Sequence, residues 1–329
     1  MKKMSFVVVG RNDDYGGDFL GRMQRSIDCL FTLCGRFSLR SELVVVEWNP
    51  PDDRPSLADA LDWTAAVHTT VRVITVPSEI HDEIRGSDEM PFFEYIAKNV
   101  GIRRASGEYV LAMNPDILLN EDLVEFLASE SLDPDSFYRT YRYDVEVDLP
   151  NDLSVTEILD RCADNVSRIK GFNGNFPGNR WEMLKDAIRD ADKYKAEVLS
   201  RVKPELLSYP TSVSFLSTYA AGDFMMMHRD RWRDLRGYPE IPKHSYMDSY
   251  ACAMAVAIGL RQCVLRGSRR SYHQEHDRSA HDERPSADEG RVLELVNEML
   301  NGDAEGALKE LQNMEDWGLY HKQLHPITI

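Results

Sequence analysis

The chain has 329 residues, of which 43% are hydrophobic and 29% charged, as is typical of a globular protein with one large or two modest domains. Lys and Arg number 39 against 55 Asp and Glu, and the formal charge of −16 argues against a surface that binds nucleic acid. No apolar run reaches the roughly 20 residues that span a bilayer, and the five cysteines include no Cys-x-x-Cys pair. We therefore expect a cytoplasmic protein without a transmembrane segment, with peripheral membrane association left open.

The first half of the sequence alternates predicted strands with predicted helices. Short apolar runs predict strands at residues 6–9, 43–46, 71–76 and 109–113, and helices are predicted at 19–34 and 92–105. This alternation predicts an α/β fold with a mostly parallel central sheet that helices cover on both faces. The ligand of such a sheet lies beyond the carboxyl ends of the strands, here residues 10–13, 47–49 and 114–116.

The second half has a different character. Residues 137–147 alternate like a strand, whereas 154–170 and 180–201 have helical spacing and enclose a Gly/Asn/Pro-rich loop at 171–179. Further on we predict strands at 224–227 and 262–265, and helices at 247–258, 287–300 and 305–313. We accordingly divide the chain into residues 1–150, a helical insertion or lid at 151–215, and residues 216–329.

One stretch of the first half carries the densest signal. It runs from Asn99 on a predicted helix, through a Gly-Glu-Tyr turn at 107–109, into a strand that ends in Asn114-Pro115-Asp116. This stretch resembles the family-2-type glycosyltransferases of the GT-A fold, in which a D-x-D motif follows such a strand. The resemblance covers residues 5–145 well and 215–280 moderately. It implies a nucleotide-sugar-binding half followed, after the insertion, by an acceptor-binding half with C-terminal helices.

The strand end implies a metal-bridged donor. A strand delivers the Asp116 carboxylate to its carboxyl end, where a divalent cation, Mn²⁺ or Mg²⁺, bridges it to a sugar-nucleotide diphosphate. Asn114 stands where the family has its first Asp, so the metal requirement stays open. A plain turn is the alternative interpretation, because Asn, Pro and Asp all favour turns.

The resemblance also implies contacts to the nucleotide sugar. Similar enzymes hold the nucleoside with the loop after the first strand and with the end of the second strand. The positions expected in this donor site, beside Asn114 and Asp116, are Gly10, Arg11, Asn12, Glu47, Asn49, Asn99 and Arg103. A carboxylate directly after a run of three valines is costly to bury without a partner, which favours a function for Glu47. A solvated loop is the alternative for residues 11–14.

The second half holds the expected acceptor side. The resemblance implies that Asp223, Trp232 and Tyr238 contact the acceptor or the sugar. It implies that Asp248 is the catalytic base, which deprotonates the acceptor hydroxyl in an inverting transfer. His244 is a rival to Asp248 and a further acceptor contact. The alternative role for Asp248 is to stabilise a helix N-terminus through the macrodipole.

Two late histidines complete the expected metal site. His273 and His276 follow a predicted strand, and many GT-A enzymes contribute a late His to the metal or diphosphate. We expect one of the pair, His276 before His273, to join Asp116. A solvated polar loop is the alternative, because many charged residues follow in the sequence.

The sequence therefore predicts a glycosyltransferase that moves a sugar from a nucleotide-diphosphate donor to a glycan or other hydroxyl acceptor, inverting with a divalent metal. Two alternatives stay open. A sugar-phosphate nucleotidyltransferase shares a related core but has a Gly-rich basic loop after the first strand, of which residues 10–13 are a poor version. A non-catalytic sugar-nucleotide or glycan-binding protein would be compatible with the altered Asn-Pro-Asp motif.

Overall fold

The strands of the molecule belong to two sheets. The computed structural model describes residues 3–129, 132–150, 152–171, 174–177, 216–277 and 289–329. The strands within these ranges are β1 Met4–Gly10, β2 Ser41–Trp48, β3 Thr69–Val76, β4 Tyr109–Met113, β5 Ile117–Leu119, β6 Ser136–Thr140, β7 Arg142–Val145, β8 Val166–Gly171, β9 Gly174–Pro177, β10 Phe224–His228, β11 Arg261–Leu265, β12 Ser271–Gln274 and β13 Ile327–Thr328. The predicted helix at 180–201 and part of the loop at 171–179 lie outside the described residues.

Helices flank these strands. They are α1 Phe19–Arg36, α2 Leu57–Ala60, α3 Ser78–His81, α4 Glu94–Arg104, α5 Glu121–Ala128, α6 Val155–Asp164, α7 Arg229–Leu235, α8 Met247–Ala257, α9 Glu289–Asn301 and α10 Ala304–Leu311. Among the described residues, no helix combines the length and the apolar character that crossing a membrane requires.

The main sheet has the spatial order β11-β6-β10-β4-β1-β2-β3-β13. Its centre is parallel, since β1 pairs in parallel with both β2 and β4, and β2 pairs in parallel with β3. β10 runs antiparallel to β4 and β6, and β13 runs antiparallel to β3. The predicted mostly parallel sheet is therefore confirmed, and the carboxyl ends of β1, β2 and β4 meet at one edge.

Side chains that alternate along β1 fill two cores. Phe6 and Val8 pack into the core that includes α1, whereas Val7 and Val9 pack into the core that includes α4 and α8. Both cores are apolar, which explains why the strand is a continuous apolar run rather than an alternating one. Helix α4 approaches the sheet closely at Gly101, where a Cβ atom would overlap Val7 Cγ1 and lie 3.2 Å from Val46 Cγ2.

The second sheet has the order β5-β12-β7-β8-β9 and corrects two predictions. The strand predicted at 137–147 is two strands that separate at Tyr141, with β6 in the main sheet and β7 in the second. The helix predicted at 154–170 ends at Asp164, and β8 follows it. Ser154 and Glu157 form a capping box that starts α6, but Ile169 pairs with Tyr143 across the β7–β8 ladder. Pairing between sequence-distant strands thus overrides the local helical spacing. The division of the chain into three segments stays a prediction.

Replacement of Gly101 by Ala tests the close approach of α4 to the sheet. Ala has the higher helix propensity, by about 1 kcal/mol, yet its methyl group would overlap Val7. We expect Gly101→Ala to lower the free energy of unfolding by about 1–3 kcal/mol in urea titrations, because overpacking outweighs propensity. Gly302→Ala is the control, since a Cβ there lies 3.6 Å from its nearest neighbour, Glu298 O. Equal stability of Gly101→Ala and wild type would contradict this packing.

Candidate active site at the strand ends

A cavity of about 130 Å³ lies beyond the carboxyl ends of β1 and β4. It receives side chains from both sheets and from α1 and α4. The lining residues are Val9, Gly10, Arg11, Asp13, Tyr15, Phe19, Arg22, Phe92, Glu94, Asn114, Pro115, Asp116, Arg142, His273 and His276. The structure therefore brings together Gly10 and Arg11 of the first strand end, the Asn-Pro-Asp turn and the late histidines.

Asp116 and two histidines form the acidic and imidazole side of the cavity. His276 Nε2 lies 3.3 Å and His273 Nε2 lies 3.6 Å from Asp116 Oδ2. Burial acts to raise the pKa of Asp116, but His273, His276 and Arg22 outweigh it and hold the pKa below its ordinary value. Asp116 is thus an anion in the interior, and it depends on neighbouring positive or hydrogen-donating groups.

These three side chains have the properties of a cation site. Their ligand atoms all lie within 4.8 Å of one another. Asp116 Oδ1 is buried and has no hydrogen-bond partner. His276 Nδ1 lies 2.8 Å from the carbonyl oxygen of Asp277, a contact that suits the tautomer with Nε2 unprotonated and turned towards Asp116. A carboxylate and two imidazoles this close together are ligands that a divalent transition-metal ion accepts, so the residues fit such a cation.

The loop after β1 covers this group. Gly16 has a φ of +70°, and a side chain there would overlap His276. The ring of Tyr15 packs edge-on against His276 with 5.2 Å between centroids. Arg22 on α1 holds the loop, because its guanidinium donates to the carbonyl oxygens of Tyr15 and Gly17. These contacts fix the loop over His276.

A fully buried lysine donates a hydrogen bond to the Asn-Pro-Asp turn. Lys98 on α4 has no exposed surface, and Nζ donates to Glu94 Oε1 at 2.6 Å, Asn114 Oδ1 at 2.7 Å and Gly222 O at 2.8 Å. The Asn114 amide in turn donates to Asp223 Oδ1 at 2.8 Å. The amide at position 114 therefore bridges a cation and an anion, which a carboxylate at this position cannot do.

Arg142 continues the same network from the second sheet. Nε donates to Asp144 Oδ1 at 2.6 Å, and Nη1 donates to Asp223 Oδ2 at 2.9 Å. Burial acts to lower the pKa of Arg142, but the two carboxylates outweigh it and raise the pKa above its ordinary value. For Asp223, burial is likewise outweighed by Arg142, and its pKa is lowered. Arg168 donates to the other oxygen of Asp144 at 2.6 Å.

Lys98, Arg142 and Asp144 are not among the site residues predicted from the sequence. Arg142 and Asp144 are two residues apart on one strand, so their side chains share a face, and this spacing was the available signal. Charges that alternate in this way ordinarily indicate a solvent-exposed face. Here both side chains are buried because β7 lies between β12 and β8.

Two of the predicted nucleotide contacts line the cavity at the end of β1. These are Gly10 and Arg11. The Arg11 guanidinium donates through Nε to the carbonyl oxygen of Asn49 at 2.6 Å and pairs through Nη1 with Asp13 Oδ2 at 3.0 Å. It therefore ties the ends of β1 and β2 together while it borders the cavity.

Three other predicted nucleotide contacts hold the neighbouring loops. Asn12 donates through Nδ2 to the carbonyl oxygen of Pro55 at 2.8 Å, and buried Glu47 accepts the backbone N–H of Leu57 at 2.7 Å. Burial raises the pKa of Glu47. Asn49 has a left-handed φ of +46° at the turn after β2. These side chains border the strand ends but do not line the cavity described above.

Asp248 lies in the first turn of α8, near Lys98. Its carboxylate accepts the backbone N–H of Gly222 at 2.7 Å and that of Ser249 at 2.9 Å. A Cβ on Gly222 would be 3.6 Å from both Asp248 Oδ2 and Lys98 Nζ, so the two side chains flank this glycine. Burial raises the pKa of Asp248, and the nearby Arg139, Gly222 N–H and Lys98 only partly oppose the rise.

Other predicted site residues lie away from the cavity. Asn99 exchanges two 2.8 Å hydrogen bonds with the backbone of Tyr238, whose ring is fully buried. Trp232 is also fully buried, and its indole N–H donates to Val110 O at 3.0 Å. The guanidinium of Arg103 stacks on aromatic rings of the C-terminal segment. The half-buried His244 precedes α8 and does not line the cavity.

Comparison with solved structures identifies the fold. Residues 1–349 of TarS from S. aureus, in complex with UDP-GlcNAc, match 94% of this chain and 72% of the TarS chain, with 15% identity and a TM-score of 0.52. The same TarS residues in a second structure match 98% of this chain and 72% of their own, with 15% identity and a TM-score of 0.50. The chain has the GT-A fold. No protein-family model and no curated protein sequence matches the chain.

Removal of the Asp116 carboxylate tests the cation site. We expect Asp116→Asn to weaken Mn²⁺ binding at least about 100-fold in calorimetric titrations, because the variant loses the anionic ligand between two imidazoles. His321→Ala is the control, since this exposed histidine lies outside the cluster. If Asp116→Asn bound Mn²⁺ as tightly as wild type, the cation would have to be held elsewhere.

Proposed function

We propose that the chain is a glycosyltransferase that moves a sugar from a nucleoside-diphosphate donor to an acceptor hydroxyl. The observation that carries this proposal is the buried cluster of Asp116, His273 and His276 at the end of β4, in a cavity that Arg22 also lines. A cation site beside a buried guanidinium suits a diphosphate, whose oxygens bind both. The lining also includes apolar residues, Val9 of β1 and Phe19 of α1 among them.

On the donor side, Asp116, His273 and His276 would hold the cation, and Mn²⁺ suits a mixed oxygen and nitrogen ligand set better than Mg²⁺. A bound divalent cation neutralises the charge that develops on the leaving diphosphate. Gly10 and Arg11 would face the nucleoside side. Since the matching TarS structure is a complex with UDP-GlcNAc, a uridine nucleotide is the first donor to test.

On the acceptor side, we assign the general base to Asp248. Its raised pKa suits a carboxylate that takes up a proton, and two backbone N–H groups fix its orientation. As the acceptor oxygen bonds to the anomeric carbon, its proton passes to Asp248, and the bond to the diphosphate oxygen breaks. Attack opposite the leaving group inverts the configuration.

A non-catalytic nucleotide-sugar-binding protein is the second candidate. The position of Asp248 favours it, since this carboxylate lies behind Gly222 and not among the residues that line the cavity. Stability screens with UDP-, GDP-, CDP- and dTDP-sugars, with and without Mn²⁺, identify the donor for either candidate, because a ligand of the folded state raises its stability. An enzyme would release free sugar from that donor, whereas a non-catalytic binding protein would leave the donor intact.

Replacement of Asp248 by Asn tests the catalytic base. Asn keeps the size of the side chain and an oxygen for the Gly222 N–H but loses the proton acceptor. We expect donor turnover to fall by about 10²–10⁴-fold while donor affinity is preserved. Asp230→Asn, in the first turn of α7, is the control for a purely helix-terminal role and is expected to turn over normally. Normal turnover in Asp248→Asn would remove Asp248 from the mechanism.

A further inference from the structure

Arg142 has a hydrogen-bonding group that the described residues leave unused. Its Nε and Nη1 are bonded to Asp144 and Asp223, but Nη2 is buried and has no hydrogen-bond partner. Only 8% of the side chain is exposed, and Arg142 lines the cavity. Buried guanidinium N–H groups are ordinarily paired, so a bound molecule in the cavity is the expected partner.

The charges around Arg142 favour a neutral partner over an anionic one. Arg142 and Arg168 carry two positive charges, and they pair with three carboxylates, those of Asp144, Asp223 and Glu275. An anion beside Nη2 would therefore lie close to two carboxylates as well. A hydroxyl oxygen avoids this repulsion and still accepts a charge-assisted hydrogen bond.

A second group of residues that line the cavity suits the diphosphate. The cluster of Asp116, His273 and His276, with Arg22, offers cation-mediated contacts to phosphate oxygens. Arg22 is held by its hydrogen bonds to the loop after β1. Arg142 is held instead by Asp223, which also accepts a hydrogen bond from the Asn114 amide. The two arginines are thus fixed by different elements and suit different parts of one donor.

We propose that Arg142 binds a hydroxyl oxygen of the donor sugar through Nη2. This inference rests on the proposed function for the identity of the ligand, but not on the occurrence of transfer. Asn114 is the positioning residue of the subsite, because its amide holds Asp223, which in turn holds Arg142. Lys98 orients that amide by donating a hydrogen bond to Asn114 Oδ1.

A comparison of nucleotide-sugar with nucleotide affinities tests the proposal. The probes are the nucleoside-diphosphate sugar that gives the largest stabilisation of the wild type, with UDP-GlcNAc tested first, and the matching nucleoside diphosphate. We expect Arg142→Lys to weaken the sugar nucleotide at least about tenfold and to change the diphosphate by less than about twofold. Lys keeps a positive charge between Asp144 and Asp223 but cannot place a third donor at the same point.

Arg72→Lys is the matched control, since Arg72 is a partly buried arginine paired with Glu42 at 3.1 Å and does not line the cavity. Asn114→Asp is the second variant. It puts a carboxylate against Asp223 and is expected to weaken the sugar nucleotide selectively as well. Equal losses for both probes, or no loss for either, would overturn the assignment of Arg142. A wild type that binds both probes but transfers no sugar would contradict only the proposed function.

Discussion

Arg142 joins the two sheets of the molecule at the cavity. It lies on β7 of the second sheet, and its guanidinium binds Asp223, which directly precedes β10 of the main sheet. Asn114 extends this link to the end of β4, and Lys98 extends it to α4. The elements that surround the cavity are therefore positioned by one continuous network of hydrogen bonds and ion pairs, and removal of Arg142 would leave the buried carboxylate of Asp223 without its cation.

This network also determines where the Asp116 carboxylate lies. Asp116 comes two residues after Asn114, so the position of the turn fixes the position of the carboxylate. His273 reaches it from β12, where the parallel ladder with β7 places His273 opposite Asp144. The second sheet thus supplies both the arginine and the histidine of the site. A carboxylate with a buried, unpartnered oxygen beside two imidazoles has the groups that a divalent cation requires.

The sequence predicted the parts of the site that depend on local patterns. The apolar runs identified β1, β2 and β4, and Asn114 and Asp116 followed from the end of one of them. The second sheet was not predicted, because β12 pairs with β5 and β7, strands more than 120 residues earlier that the sequence separates by other elements. Arg142 was missed because its alternation with Asp144 looks like a solvent-exposed strand face, and burial of that face is decided by long-range pairing.

Long-range packing also decides which residues of a predicted motif reach the cavity. Asn99 and Trp232 were expected beside the ligand, yet both are bonded inside the fold. We propose that Asp116, His273 and His276 hold a divalent cation at the end of β4. Anomalous scattering from crystals grown with Mn²⁺ and a nucleoside diphosphate tests it most directly. We predict one strong peak within about 2.5 Å of all three side chains. A peak only elsewhere, or none at saturating Mn²⁺, would contradict the account.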